Sequence, residues 1–186
     1  RNQEPILMEL KNRTINNYGD IYEIESQYSF MDSFVNETIV IDNSSLITFK
    51  HRVSWKNVNY MLRSNFNLNI DSDNAICDIQ FGKINRTRKN ETIKEKGQYE
   101  ICAQQYVDVN DNKVGCALIN KTKCGYYIKD KDLELNLLRS TNYPCVNGDI
   151  GEASYEYALY VHSGNDIQAE VDKVAYIFNS EFIMAS

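Results

Sequence analysis

The chain has 186 residues, 42% hydrophobic residues and a formal net charge of −6. This length suits one domain or two small ones, and the composition is too apolar for a disordered chain. The net negative charge argues against nucleic acid as a partner. No apolar run approaches the roughly 18–20 residues of a membrane span. We therefore expect membrane attachment only through an anchor outside this sequence.

Apolar and polar residues alternate along most of the chain, which predicts short strands facing a core on one side. Strands are predicted within residues 21–30, 46–55, 64–70, 77–81, 99–109, 113–119, 133–137 and 153–161. Asn110-Asp111-Asn112 predicts a hairpin turn. The predicted fold is all-β, an antiparallel β-sandwich of immunoglobulin-like or similar type. Residues 1–20 are predicted as an N-terminal arm and 21–186 as a single β-rich extracellular domain.

The last segment fits two structures. Ile167, Val171, Val174 and Phe178 have helical spacing, with Asn165 or Asp166 available as a cap. The same segment also fits two strands that turn at Asp172-Lys173. We favour the strands, because β-branched and aromatic residues prefer them, and a short C-terminal helix remains the alternative.

Six Asn-x-Ser/Thr sequons are the strongest sequence signal. Five of the seven Thr residues stand two positions after an Asn. The pattern predicts N-linked glycans and passage through the secretory pathway. Since the sequence begins at Arg1 without Met, we expect a processed form or an excised ectodomain. The sequon asparagines are Asn12, Asn36, Asn43, Asn85, Asn90 and Asn120.

Five cysteines follow residue 76, and none forms a Cys-x-x-Cys motif. In an oxidising compartment we expect two disulfides and one odd thiol. Fifteen pairings satisfy this count, so the connectivity stays open. The candidates are Cys77, Cys102, Cys116, Cys124 and Cys145.

No metal or cofactor site is predicted. Asp108, Asn110 and Asn112 match the first ligands of a calcium loop, but Lys113 and Ile119 stand where Gly and Glu are required. The chain has no phosphate loop, nucleophile elbow or His-Glu-x-x-His motif, so we predict that it is not an enzyme.

The C-terminal third is predicted as a protein-binding face. It has no sequon, and residues 149–186 carry seven acidic residues against one Lys. Tyrosine provides contact area at little entropic cost, and the acids would attract a basic partner. Most of these tyrosines could equally fill the core. The candidate contacts are Tyr155, Tyr157, Tyr160, Glu152, Glu156 and Asp166.

The sequence thus predicts a secreted or surface-displayed glycoprotein domain that binds a protein: a receptor, a cytokine-like factor or a second copy of itself. A viral or parasite protein that interacts with a host fits the same composition. A β-barrel carrier of a small apolar ligand is one alternative. A secreted hydrolase that uses His51 or His162 is another.

Overall fold

The computed structural model describes residues 5–180. These residues form thirteen strands and two helices, and neighbouring strands pair antiparallel. The strands are β1 (Glu9–Asn17), β2 (Tyr22–Phe30), β3 (Ser33–Ile41), β4 (Leu46–Trp55), β5 (Tyr60–Asn67), β6 (Asn74–Ile79), β7 (Gly82–Thr87), β8 (Ile101–Cys102), β9 (Tyr106–Asn110), β10 (Val114–Asn120), β11 (Gly125–Tyr127), β12 (Asp132–Ser140) and β13 (Gly151–Ser163). The helices are α1 (Ile93–Gly97) and α2 (Val171–Asn179). The all-β antiparallel prediction is confirmed.

The chain forms two compact units. Unit 1 comprises the chain up to Met61 together with Leu138–Tyr155, and unit 2 comprises Leu62–Leu137 and the chain from Glu156 onward. The predicted division into an arm (1–20) and one domain (21–186) stays a prediction. Within that predicted arm, Glu9–Asn17 forms β1 and pairs with β2 along its length.

Unit 1 contains the consecutive sheet β1-β2-β3-β4. Its core lies near the ends of β3 and β4, where Val35, Val53 and Trp55 are at most 3% exposed. Phe30 stacks on Trp55 with ring centroids 6.0 Å apart. The indole Nε1 donates to the Asn57 carbonyl oxygen at 2.7 Å, so this large apolar ring is buried without leaving its donor unsatisfied.

Unit 2 contains strands in the order β13-β10-β9-β6-β7 and a second, four-stranded sheet in the order β5-β12-β11-β8. Its core is formed by completely or almost completely buried residues of both sheets: Val107, Val109, Leu118, Ile119, Tyr126, Leu133, Leu135, Leu137 and Tyr157. Phe66 of β5 meets the Tyr157 ring of β13 edge-on at 6.2 Å. Each such side chain contributes roughly 1.5–3 kcal/mol through burial, so the alternating pattern of the sequence drives this packing.

The C-terminal segment is a helix, which corrects the preference for two strands. Val171 and Ala175, four residues apart on α2, are both fully buried. Asn165 and Gln168 exchange side-chain and backbone hydrogen bonds at 3.0 and 3.1 Å in the turns before α2. These hydrogen bonds fix the turns that lead into α2, and the i, i+4 burial on the helix outweighs the strand propensity of the valines.

Neither helix of the described part of the chain is long and apolar enough to cross a membrane.

Candidate functional site

The residues predicted as a protein-binding face do not form one exposed surface. Tyr155 is 7% and Tyr157 is 1% exposed. The Tyr157 hydroxyl lies 2.6 Å from Ser64 Oγ, and the Tyr160 hydroxyl donates to the Ala169 carbonyl oxygen at 3.1 Å. These tyrosines therefore serve the fold, because β13 has buried side chains on both of its faces.

The acids of the same prediction are mostly engaged in ion pairs. Glu156 pairs with Lys121 at 2.8 Å, and Asp166 is buried beside Lys83 at 3.0 Å. Glu152 is exposed. An ion-paired or buried acid attracts a basic partner poorly. Two of the three predicted acids are therefore not available to bind such a partner.

Five of the six sequon asparagines are exposed: Asn12, Asn36, Asn43, Asn85 and Asn90. Asn120 differs, since it is 1% exposed. Its Nδ2, the atom to which a glycan is attached, donates to the Tyr126 hydroxyl at 2.5 Å and to the Gln104 carbonyl oxygen at 3.3 Å. The folded domain is incompatible with a glycan on Asn120, because a sugar cannot occupy this core position.

The predicted disulfides are absent, since all five cysteines are free thiols in the structure. Cys77 and Cys116 are buried within strands β6 and β10. Burial raises the pKa of each of these thiols to about 12. Cys102, Cys124 and Cys145 are exposed. The expectation of two disulfides is thus wrong for this fold, and the core of unit 2 is held by packing.

A cross-strand polar cluster lies on the sheet of unit 1. His51 Nε2 lies 3.1 Å from Glu37 Oε1, and the Tyr28 hydroxyl donates to Glu37 Oε2 at 3.2 Å. Arg13 donates to Tyr28 at 2.8 Å and to Ser26 at 2.9 Å. Burial raises the pKa of Glu37, but the hydrogen bond and charge of His51, with help from Tyr28 and Arg13, hold it below its ordinary value. Glu37 therefore stays ionised.

A second buried pair joins His162 of β13 to Asp108 of β9. His162 Nε2 lies 2.9 Å from Asp108 Oδ1, and Asp108 is completely buried. Strand β10 lies between these strands, and its Gly115 is the residue opposite His162. A Cβ on Gly115 would come within 2.5 Å of Nε2, so only glycine leaves room for the imidazole to reach Asp108. Asn110 Nδ2 donates to the other Asp108 oxygen at 2.6 Å.

Arg63 holds two acids beside the four-stranded sheet of unit 2. Its guanidinium lies 2.6 Å from Glu134 Oε2 and also pairs with Glu100. Asn65 Nδ2 donates to Glu134 Oε1 at 3.3 Å. Because β5 and β12 are neighbours, the arginine and its partner Glu134 fix the two strands against each other.

Lys83 connects the β6–β7 hairpin to the segment before α2. Its Nζ lies 3.0 Å from Asp166, 3.8 Å from Asp172 and 6.0 Å from the centre of the Tyr106 ring. Burial lowers the pKa of Lys83, but its hydrogen bond with Asp166 and the nearby Tyr106 hydroxyl outweigh burial and raise the pKa overall. Burial raises the pKa of Tyr106 to about 12. The lysine therefore remains charged and ties these elements together.

A polar pocket of about 400 Å³ opens in unit 2. Arg88 lines it and is 2% exposed. One guanidinium nitrogen, Nη1, donates to the Ser72 carbonyl oxygen at 3.2 Å, whereas Nε and Nη2 have no hydrogen-bond partner. Burial lowers the pKa of Arg88, and the charges of Asp130 and Asp132 oppose this. The pocket is lined by Ser72, Asp73, Arg88, Lys89, Asn90, Glu91 and Asp130.

Sequence reasoning missed most of these clusters. It named His51 and His162 only as hydrolase candidates, and it named Asp108 only in a calcium-loop pattern that it rejected. Residues distant in sequence form each cluster, such as Asp108 and His162 or Arg63 and Glu134, so only strand pairing brings them together. Within residues 5–180, no group of three or more His, Cys, Asp or Glu side chains could hold a metal ion.

Comparison with known proteins identifies a family. The model of the glycosyl hydrolases family 38 C-terminal domain matches residues 3–147. The chain is 33% identical over 152 residues to Alpha-mannosidase G of Dictyostelium discoideum, an alignment that covers 81% of the chain and 14% of that relative. It is 31% identical over 149 residues to Alpha-mannosidase 2C1 of Mus musculus, covering 80% of the chain and 14% of the relative.

Solved structures agree on the fold. An alpha-mannosidase from Enterococcus faecalis V583 superposes with a TM-score of 0.79 and 13% sequence identity, covering 92% of this chain and 24% of the other. At this identity the match establishes the fold alone.

These matches correct the functional predictions. A non-enzymatic domain that binds a protein partner, a viral or parasite host-interaction protein and a small-ligand carrier are all wrong, because the matched family and relatives are glycoside hydrolases. The aligned region is a small part of each curated relative, so the activity of a whole enzyme does not follow from it alone. The chain belongs to the glycosyl hydrolases family 38 C-terminal domain family.

Proposed function

We propose that the chain serves as the C-terminal β-rich domain of an α-mannosidase, an enzyme that hydrolyses α-linked mannose. The match of the family model to residues 3–147 carries this proposal. The curated relatives, which are themselves named as α-mannosidases, support it over about 80% of the chain. The substrate class in this proposal is a glycan rather than a protein.

In this proposal the three buried acids hold the strands of the domain in place and do not take part in hydrolysis. Glycoside hydrolysis typically uses two carboxyl groups, one of which exchanges a proton with the leaving group. Asp108, Glu134 and Asp166 are instead each held by a cation or an imidazole at 2.6–3.0 Å. A carboxylate bound in this way positions strands, because protonating it would break its pair.

An assay of substrate preference tests the proposal. The complete polypeptide that contains this chain is given aryl α-glycosides of mannose, glucose and galactose. We expect the highest kcat/KM with the α-mannoside. A polypeptide that prefers another sugar, or hydrolyses none of the three, would show that membership of the family does not bring this activity.

A matched pair of variants tests the positional role of the domain. Arg63→Met removes the cation that pairs with Glu134 and Glu100, whereas Arg52→Met removes an exposed arginine of β4. We expect Arg63→Met to lower the unfolding temperature and the amount of active enzyme in parallel, and Arg52→Met to change neither. Equal behaviour of the two variants would refute this role.

We also propose that the exposed sequons carry glycans and that the protein is extracellular. The exposure of Asn12, Asn36, Asn43, Asn85 and Asn90 supports this proposal. Intact mass before and after enzymatic deglycosylation of protein from its natural source tests it. An unchanged mass would contradict it.

A further inference from the structure

We propose that the polar pocket lined by Arg88 is a binding site for a neutral sugar. This inference rests on the proposed function only for the choice of mannose as the sugar. The pocket lies wholly within unit 2, and its volume of about 400 Å³ falls within the range of small-ligand sites.

The backbone holds Arg88 rigidly at the centre of this site. Its backbone N–H donates to the Asp73 carbonyl oxygen at 2.8 Å, and its own carbonyl oxygen accepts from the Asp130 N–H at 2.9 Å. The Arg88 backbone is therefore anchored between two segments that both line the pocket. A fixed backbone limits the positions open to the side chain, which lowers the entropic cost of binding a ligand.

The guanidinium has unused hydrogen-bonding capacity. Nε and Nη2 are buried without an acceptor, although a buried donor of a charged group is rarely left unsatisfied. The hydroxyl oxygens of a sugar supply the acceptors that the protein itself does not provide.

The charge of the lining selects a neutral ligand. Three carboxylates, of Asp73, Glu91 and Asp130, face two cations, Arg88 and Lys89. Lys89 already pairs with Asp73 at 2.8 Å. An inorganic anion would meet the carboxylates of Glu91 and Asp130, whereas a polyol accepts hydrogen bonds from Arg88 and donates to these acids. Neighbouring hydroxyl groups on a sugar ring fit this mixture of donors and acceptors.

Hydrogen–deuterium exchange of the complete polypeptide, read peptide by peptide, tests the proposal with methyl α-D-mannoside as the probe. Glycans are first removed enzymatically, because Asn90 lines the pocket and a glycan on it would compete with the probe. Peptides that cover residues 70–75 and 86–92 should exchange more slowly when the mannoside is added, and protection confined to other peptides does not count as binding in this pocket.

Two pocket variants and one control keep the test decisive. Arg88→Met removes the unused donors, and Asp130→Asn replaces an exposed acid at little risk to folding, because asparagine tolerates the positive φ of 55°. Each should raise the mannoside concentration that gives half-maximal protection by about tenfold, which is the effect of losing one hydrogen bond to a charged group. Arg52→Met should leave it unchanged.

Three results would overturn the proposal: no protection of these peptides in the unsubstituted protein, protection that survives both pocket variants, or protection by inorganic phosphate in place of the mannoside. Hydrolysis of aryl α-mannosides is measured on the same samples. Activity without pocket protection refutes only this inference, whereas pocket protection without activity refutes only the proposed function.

Discussion

Removing His162 should destabilise unit 2 strongly, because it leaves the Asp108 carboxyl group buried without its imidazole partner. Asp108 is completely buried, and its other oxygen accepts a hydrogen bond from the Asn110 amide. Breaking a buried ion pair by deleting one member costs about 3–5 kcal/mol, a large share of the roughly 5–15 kcal/mol that stabilises a typical domain. We therefore expect His162→Leu to lower the free energy of unfolding by about 3–5 kcal/mol.

A double-mutant cycle separates this pair from simple loss of packing. Asp108→Leu should cost about 1–3 kcal/mol, since it leaves the His162 imidazole and the Asn110 amide without an acceptor. The double variant should cost less than the sum of the two, with a coupling energy of about 2 kcal/mol.

Urea unfolding measures the free energy of unfolding of each variant. Val161→Leu, at an exposed position of β13, is the control, with an expected change within about 0.5 kcal/mol. Strict additivity, or a His162→Leu variant as stable as the unsubstituted protein, would refute the reasoning.

Three further predictions follow from individual side chains. The pKa of Glu37 in the folded protein lies below its ordinary value of 4.5. As the pH falls, this carboxylate is therefore protonated in the unfolded chain before it is protonated in the folded protein. The free energy of unfolding should consequently fall as the pH drops below about 5. Glu37→Gln should flatten this dependence in acid unfolding titrations, and an unchanged slope would contradict the assignment. Thiol titration of the folded protein should find three reactive cysteines, rising to five in denaturant without reductant; fewer than five would show a disulfide. Glycopeptide mapping should find Asn120 unmodified even where Asn90 is occupied, and a glycan on Asn120 would contradict its buried position.

The strands were predictable from the sequence because their alternation directly reflects burial. The prediction for residues 46–55 coincides with β4, and that for 113–119 differs from β10 by one residue at each end. The C-terminal helix was harder, because valines favour strands while the pair Val171 and Ala175 requires a buried helical face. Only the surrounding fold decides between these two preferences.

The polar clusters could not be predicted in the same way. Asp108 lies in a strand whose first four residues are all buried, and the alternating pattern of the sequence does not reveal that a carboxyl group is among them. Arg88 was one of several cations in the basic stretch 83–96, and its burial depends on backbone contacts with Asp73 and Asp130. The tyrosines of β13 suggested recognition, but a strand covered on both faces also needs large side chains. In each case the missing information is long-range pairing.

The most direct test of the central claim is the anomeric preference of the complete polypeptide. Initial rates of hydrolysis are measured with p-nitrophenyl α-D-mannoside and its β-anomer under identical conditions. An α-mannosidase domain predicts release of p-nitrophenol from the α-anomer and none above background from the β-anomer. Equal rates with both anomers, or no hydrolysis of the α-anomer by correctly folded protein, would contradict it.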